Sequence, residues 1–405
     1  MYKAAIVGVS GFGDTHYHDI RNEVEQGRAE IIAATVINQA EEPEKCAWLR
    51  TVGARIFIDW QEMMDFCHGK IDLCFLPTGI AFHAPMTIAA LEAGANVFVE
   101  KPAAGTIQEV SAMEEAARKA GKFVAVGYQL IYQPDIQNLK RMLLAGHIGK
   151  IESIKTYANW CRNSRYYHRN NWAGKLRVND TWVLDSPFNN ALAHYLNLIC
   201  FLAGKTFAAS AVLRSVQAEL YRVNPIESTD TACIRAIADN GISCCFYATH
   251  ACPGSCQPVT VIVGEKGTIV YDLSRPETTI SFNDGHCESL PYVPGKEFRT
   301  NIMAALRQKL IEPDHFVCGL DIAGVQTRCC NGAHESSPIH SLPPEYFSQV
   351  TEPDGATHME IAGIEKIIGD AFAAGKLFSE IGVPWSKPGR LVDMRGYSRF
   401  AGGPS

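Results

Sequence analysis

Residues 3–16 read KAAIVGVSGFGDTH, an apolar run that breaks into glycines at Gly8, Gly11 and Gly13. Glycines at a strand end allow a tight turn and let backbone N–H groups approach a pyrophosphate at the N-terminus of the next helix. Phe12 sits among them. Counted from Gly11 and Gly13, a full GxGxxG pattern places its third glycine at position 16, where the chain has His16. The same beat repeats downstream: short apolar runs at 31–37, 56–58, 71–76, 96–99 and 122–126, with helical patterns clearest at 84–93 and 108–120. Strands apolar on both faces and separated by helices predict a doubly wound parallel α/β sheet.

Beyond a further helix at 134–145 the pattern changes. A strand begins at 151, a polar and aromatic stretch follows, and the spacing predicts a helix over 189–203. Strand candidates then come in succession at 207–223, 229–238, 242–250, 258–264, 267–272 and 278–282. Strands without intervening helices predict a largely antiparallel sheet. A helix is expected near 321–335. A Pro-containing linker then leads to a last amphipathic helix carrying Ile361, Ile364, Ile368, Phe372 and Phe378. The expected organisation is a nucleotide-binding domain over 1–128, an α/β domain over 129–340, and a C-terminal extension over 341–405 whose helix packs on the domains.

The chain has 405 residues, a net charge of −6, 47% hydrophobic and 20% charged residues. No run of Lys and Arg marks a nucleic-acid or membrane face. The apolar opening is too short for a secretion signal, and no stretch approaches the roughly 18 apolar residues of a membrane span. A cytoplasmic location with the 14 cysteines as reduced thiols is therefore expected. Cys252 and Cys256 beside His250 have no second ligand cluster, so no metal is expected. At the end of the second strand, where a carboxylate holds the ribose in many dinucleotide sites, the chain has Asn38, with no carboxylate until Glu41. No adjacent Arg or Lys offers to welcome a 2′-phosphate. The reading leans to NAD and leaves NADP open.

The segment PTGIAFHAPMTIAALEAGANVFVEKPAAG, residues 77–105, resembles the signature segment of the glucose–fructose oxidoreductase / inositol dehydrogenase / MocA family. The resemblance extends through VAVGYQLIYQP, LLAGHIGKI, the helix containing His194, VGEKGTI and LFSEIGVPWS. It implies an N-terminal Rossmann domain and a C-terminal α/β domain with an open, mainly antiparallel sheet that builds homodimers or homotetramers. It implies cofactor contacts at Gly8, Gly11, Phe12, Gly13, Asn38, Pro77, Thr78, His83, Glu100, Lys101 and Tyr128. Lys101, the lysine of Glu100-Lys101-Pro102, is the residue that orients a substrate hydroxyl and the nicotinamide. His194 matches the family's catalytic histidine, and Asn190 stands where the family has an aspartate one helical turn earlier. That departure leaves room for changed chemistry, because an amide orients a histidine without adding charge. Without the resemblance, Asn190, His194 and Asn197 read equally as polar groups that satisfy one another.

Alcohol oxidation needs a base for the hydroxyl proton and a C–H aimed at the nicotinamide. The resemblance implies an NAD(P)-dependent oxidoreductase acting on a sugar, polyol or sugar acid, with His194 as general acid/base. Trp160, Arg162, Arg169 and Trp172, with Tyr128, are candidate substrate contacts: aromatic faces suit sugar C–H surfaces, and arginines suit hydroxyls or a carboxylate. A packing loop accounts for that stretch equally well. Two other readings stand beside this one. The first is a glycosidase using transient oxidation by bound NAD, the second a non-catalytic NAD(P)/sugar sensor.

Overall fold

A computed structural model describes residues 1–291 and 297–403. The chain forms two compact units. One takes Met1–Ala104, Gln108–Tyr132, and the helix Phe298–Ile311 with the chain on to Gly324; the other takes most of the remainder.

The first unit holds six parallel strands: β1 (Tyr2–Val7), β2 (Ala29–Thr35), β3 (Arg55–Phe57), β4 (Leu73–Leu76), β5 (Asn96–Val99) and β6 (Val124–Val126), in the order β3-β2-β1-β4-β5-β6. Between them run α1 (Gly13–Glu25), α2 (Pro43–Thr51), α3 (Trp60–Cys67), α4 (Ile80–Glu92) and α5 (Ile107–Ala120). β4 is buried on both faces, with Leu73, Cys74, Phe75 and Leu76 fully inaccessible, as its continuous apolar run requires. The strand order reverses between β1 and β4, and open α/β sheets bind ligands at the carboxyl edge of such a switch point.

In the second unit, α6 (Pro134–Leu144) precedes β7 (Ile151–Asn159), α7 (Ser164–His168), the short pair β8 (Arg177–Val178) and β9 (Thr181–Trp182), and α8 (Ala193–Leu202). Strands β10 (Leu213–Arg222), β11 (Thr231–Ala238), β12 (Ser243–Thr249), β13 (Val259–Gly264), β14 (Gly267–Asp272), β15 (Glu277–Phe282) and β16 (Cys287–Pro291) follow. With β7 they form an open sheet ordered β16-β15-β14-β13-β7-β12-β11-β10. Most pairs are antiparallel and β7–β12 is parallel, so the sheet is mixed. The fold class read from the sequence is the one observed.

Several elements differ from the sequence reading. The return helix α9 (Phe298–Ile311) went unread, because only Ile302, Met303 and Leu306 are buried and its apolar stripe is thin. After α10 (Leu320–Ser336) and the short β17 (Ile339–Ser341), which joins the sheet beside β10, comes a hairpin of β18 (Phe347–Thr351) and β19 (Thr357–Ile361). The last helix, α11 (Ile364–Ala374), is shorter than expected: Gly375 takes a left-handed φ of 64° and ends it. Ile361 belongs to β19 and Phe378 lies beyond the helix. Both still join Ile364, Ile368, Tyr221, Tyr247 and Trp385 in one cluster on a face of the large sheet. The terminal β20 (Val392–Asp393) pairs with β10. Among the described residues no helix is long and apolar enough to cross a membrane.

Candidate active site

The first unit carries a nucleotide cradle. Gly8 and Gly11 adopt φ of 89° and 57°, and a Cβ at either would face open space. A Cβ at Gly13 would lie 2.7 Å from the Gly8 carbonyl oxygen, so α1 can start there only because Gly13 has no side chain. This corrects the expected frame. Gly13 is the glycine of close helix–strand approach, and no third glycine is needed at 16. Phe12 beside it is 55% exposed.

His16 instead points inward. It is fully buried, stacks on Phe98 with 5.2 Å between ring centroids, and its Nε2–H donates to Glu100 Oε1 at 2.8 Å. Burial lowers the His16 pKa, leaving a neutral ring. Burial alone would raise the Glu100 carboxyl. The His16 hydrogen bond and the nearby charges of Arg299 and Lys101 outweigh it and bring the pKa to about 2. Arg299 of α9 donates from Nη1 to Glu100 at 3.4 Å and from Nε to Asp19 at 2.7 Å. The Lys101 N–H donates back to Glu100 Oε2 at 3.2 Å. Gly127 leaves room for this carboxylate, since a Cβ there would fall 2.8 Å from Oε1. Glu100 is therefore an anchor beneath Lys101, at the carboxyl edge of the parallel sheet.

His83 is likewise buried. Its Nδ1 lies 2.7 Å from the Pro102 carbonyl and its Nε2 3.0 Å from that of Thr78. Burial lowers the ring's pKa, and a neutral ring donates its one N–H to one of these two carbonyls, between the loop after β4 and the Lys101–Pro102 turn. Tyr128 follows β6 and is buried. Pro77 lines the glycine turn, 3.6 Å from a Cβ placed on Gly13. Thr78 Oγ1 is buried with no partner among the described residues. Asn38 links to Ser10, its Nδ2 donating at 3.0 Å to the Ser10 Oγ, and also donates to Glu41 Oε2 at 3.0 Å. The sequence reading found no basic residue nearby; the structure brings one in from α2. Lys45 Nζ reaches the Val9 carbonyl at 2.7 Å, but Asp14 at 2.6 Å and Glu42 at 2.9 Å balance its charge. The open turn and the orphaned Thr78 hydroxyl fit a dinucleotide, and the acidic surroundings of Asn38 suit an unphosphorylated ribose.

The second unit carries a layered aromatic site. After β7, Trp160 N–H donates to Thr249 O at 3.0 Å and Arg162 N–H to His250 O at 3.1 Å, so the strand pairing runs on past Asn159. The Arg162 guanidinium lies 4.6 Å from the Tyr166 ring centroid, and that of Arg169 3.6 Å; Arg169 also covers Trp172 at 5.2 Å. Trp160 meets Tyr195 of α8 edge to face at 6.3 Å. His250 donates from Nδ1 to Trp160 O at 2.7 Å, and burial drives its pKa to about 3. The structure thus brings Trp160, Arg162, Arg169 and Trp172 into one cluster around Tyr166.

His194 sits in the first turn of α8 and is half-buried. Asn190 is not on that helix, which corrects the single stripe read over 190, 194 and 197. Pro187–Ala191 form a π-turn capped by Ser186, whose side chain accepts from Asn189 N–H, and α8 starts only at Ala193. The residue that sequence reasoning missed is Asp185. Buried at 4% exposure, it accepts Asn190 Nδ2–H at 2.7 Å on Oδ1 and the Gly174 N–H at 2.6 Å on Oδ2. It is the last carboxylate before Glu219, an acid isolated at the head of an apolar segment, and that isolation was the available signal. Among the described residues no group of three His, Cys, Asp or Glu gathers as metal ligands would.

A parallel sheet in this strand order with a glycine turn at its switch point defines a Rossmann-type dinucleotide-binding fold. Residues 2–128 match the model of the oxidoreductase family with an NAD-binding Rossmann fold, GFO/IDH/MocA, and residues 136–270 match that of its C-terminal domain. The chain belongs to the GFO/IDH/MocA family. It is 27% identical over 221 residues to an inositol 2-dehydrogenase of Klebsiella pneumoniae subsp. pneumoniae, a match covering 54% of this chain and 58% of that protein. The chain thus spans little more than half the length of that relative. A dehydrogenase of Comamonas testosteroni acting on 1-carboxy-3-chloro-3,4-dihydroxycyclohexa-1,5-diene is 32% identical over 84 residues, 21% of each chain. Among solved structures, the WlbA dehydrogenase of Chromobacterium violaceum in complex with NADH and UDP-GlcNAcA superposes with a TM-score of 0.67 at 22% identity, covering 83% of this chain and 94% of that one. Levoglucosan dehydrogenase in complex with NADH and levoglucosan gives 0.68 at 17% identity, covering 83% and 96%.

Proposed function

We propose that this protein is an NAD-dependent dehydrogenase that oxidises a hydroxyl carbon of a sugar, polyol or sugar acid. The observation that carries this reading is the Glu100 anchor, which fixes Lys101 at the carboxyl edge of the parallel sheet beside the glycine turn. NAD, when bound, supplies the hydride acceptor. Gly8, Gly11 and the start of α1 hold its pyrophosphate, Thr78 offers a hydroxyl, and Asn38 takes a ribose hydroxyl. Lys101 orients the reacting hydroxyl, and its positive charge favours the developing alkoxide. His194 takes the hydroxyl proton as general base. Trp160, Arg162, Arg169 and Trp172 supply the aromatic and cationic wall that suits a sugar ring and its hydroxyls or carboxylate. The sugar and cyclitol names among the relatives support this substrate class.

The proposal extends to a homodimer or homotetramer built on the large sheet. In register across the strands, Val261, Val270 and Thr279 form a partly buried, uncharged row of the kind a second copy covers. The test is the near-ultraviolet absorbance of reduced nicotinamide while the protein meets NAD or NADP with inositols, hexoses, anhydrosugars and uronates. A rise with one class, lost in Lys101→Ala and His194→Ala, is expected. A flat trace on all classes with bound NAD overturns simple oxidation.

A further inference from the structure

Asn190 stands where the family resemblance expects a carboxylate, and an amide is ambiguous: it can present either its N–H groups or its carbonyl to whatever lies beyond. The chain removes that ambiguity with Asp185. This carboxylate is 4% exposed, and its Oδ2 already accepts the Gly174 N–H at 2.6 Å. Both carboxyl oxygens accept here, one from Gly174 and one from Asn190. Asn190 must therefore turn its Nδ2 to Asp185, as the 2.7 Å bond records. The carbonyl Oδ1 then points away from Asp185.

The backbone is shaped for this pairing. Leu184 holds a φ of 47°, which swings Asp185 inward, and the π-turn Pro187–Ala191 sets Asn190 back over it. On the far side Gly174 approaches closely, at φ 71°, with the Tyr167 ring 3.2 Å from where a Cβ would stand. Charged and titratable groups near this carboxylate include Tyr166 and Tyr167 of α7; Arg162 and Arg169 lie over the Tyr166 ring, and His250 meets that ring edge-on.

We infer that Asp185 is a positioning residue that makes Asn190 an obligate hydrogen-bond acceptor in the substrate half of the site. The pair reproduces the acceptor polarity of a carboxylate at position 190 while keeping the negative charge one side chain away from the reacting hydroxyl. This inference rests on the dehydrogenase reading for its consequence, but the bond itself can be tested without turnover.

The substitution Asp185→Asn keeps the shape and an acceptor for Gly174. Its new amide N–H groups then face Asn190, which must flip and present N–H outward. The transposed variant Asp185→Asn/Asn190→Asp restores an acceptor at 190. In the wild type, the Asn190 side-chain amide signal, assigned by its loss in Asn190→Asp, is expected to be protected from hydrogen exchange, and Asp185→Asn is expected to move it. A wild-type signal exchanging like a free amide overturns the inference, whatever the activity.

On the substrate class found active, Asp185→Asn is expected to lower kcat/KM about 10- to 100-fold, the loss of one charge-assisted hydrogen bond. NAD affinity should not change, and the transposed pair should recover most of the loss. An Asp185→Asn enzyme with wild-type kcat/KM, or an active-enzyme series in which transposition restores thermal stability but no turnover, overturns the inference and leaves the dehydrogenase reading standing. A protected amide in a protein that oxidises nothing on the panel upholds the acceptor assignment and fails the dehydrogenase reading.

Discussion

Replacing Glu100 by Gln tests the anchor beneath Lys101 with little change of shape. Holding this buried carboxyl at about 2 against an ordinary value of 4.5 corresponds to roughly 3 kcal/mol in favour of the ionised, folded form. The contribution belongs to a group whose folded pKa is depressed. It is fully present above about 4.5 and is lost as pH falls towards about 2. Near neutrality Glu100→Gln should therefore destabilise the nucleotide unit by about 3 kcal/mol, with Arg299 and Asp19 left as a pair. As the wild-type carboxyl protonates, the two proteins should converge. Amide exchange along β1, β4 and β5 reads this unit separately from the rest of the chain, at a series of pH values in mild urea. A gap that stays constant down to the acid end would mean that charge is not what holds Glu100, and no gap at neutrality would refute the anchor.

Two further outcomes follow from the same unit. Gly13→Ala places a methyl 2.7 Å from the Gly8 carbonyl, so α1 must shift at a cost of about 1–3 kcal/mol; NAD affinity measured by fluorescence should weaken about tenfold or more, and an unchanged Kd refutes the cradle. Glu41→Ala removes the carboxylate beside Asn38 and should raise the ratio of kcat/KM for NADP over NAD by about tenfold, whereas an unmoved ratio assigns discrimination elsewhere.

The parallel sheet was legible because most of its strands are apolar on both faces, β4 and β6 throughout, a pattern few other environments tolerate. Where periodicity weakened, so did the reading. The hairpin Phe347–Thr351/Thr357–Ile361 carries a visible Pro353-Asp354-Gly355 turn, yet its strands alternate too weakly to stand out beside the helix that follows. Of the candidate functional residues, Lys101 and His194 were nameable by resemblance, and the glycines by their place after a strand. The partners were not. His16 under Glu100, His83 between two carbonyls, and Asp185 against Asn190 all depend on where a loop or π-turn carries a side chain, and spacing along the chain says little about that. The phase of the glycine motif failed for a related reason: only the distance from Gly13 to Gly8 reveals which glycine packs the helix.

The return helix Phe298–Ile311 has a consequence for how the molecule comes into being. Arg299 and Arg307 answer acids on α1 and β5's end, Asp19, Glu23 and Glu100, the last pairing across 199 positions of sequence. On a ribosome, the nucleotide-binding sheet emerges long before the guanidinium groups that neutralise it, and most of the other unit must be synthesised first. A graft that borrows only residues 2–128 for a chimaera would carry three buried or half-buried carboxylates stripped of their distant cations. Exchange of substrate halves between relatives therefore works as a cassette only if the cassette is cut in two places, so that the helix travels with the sheet it completes.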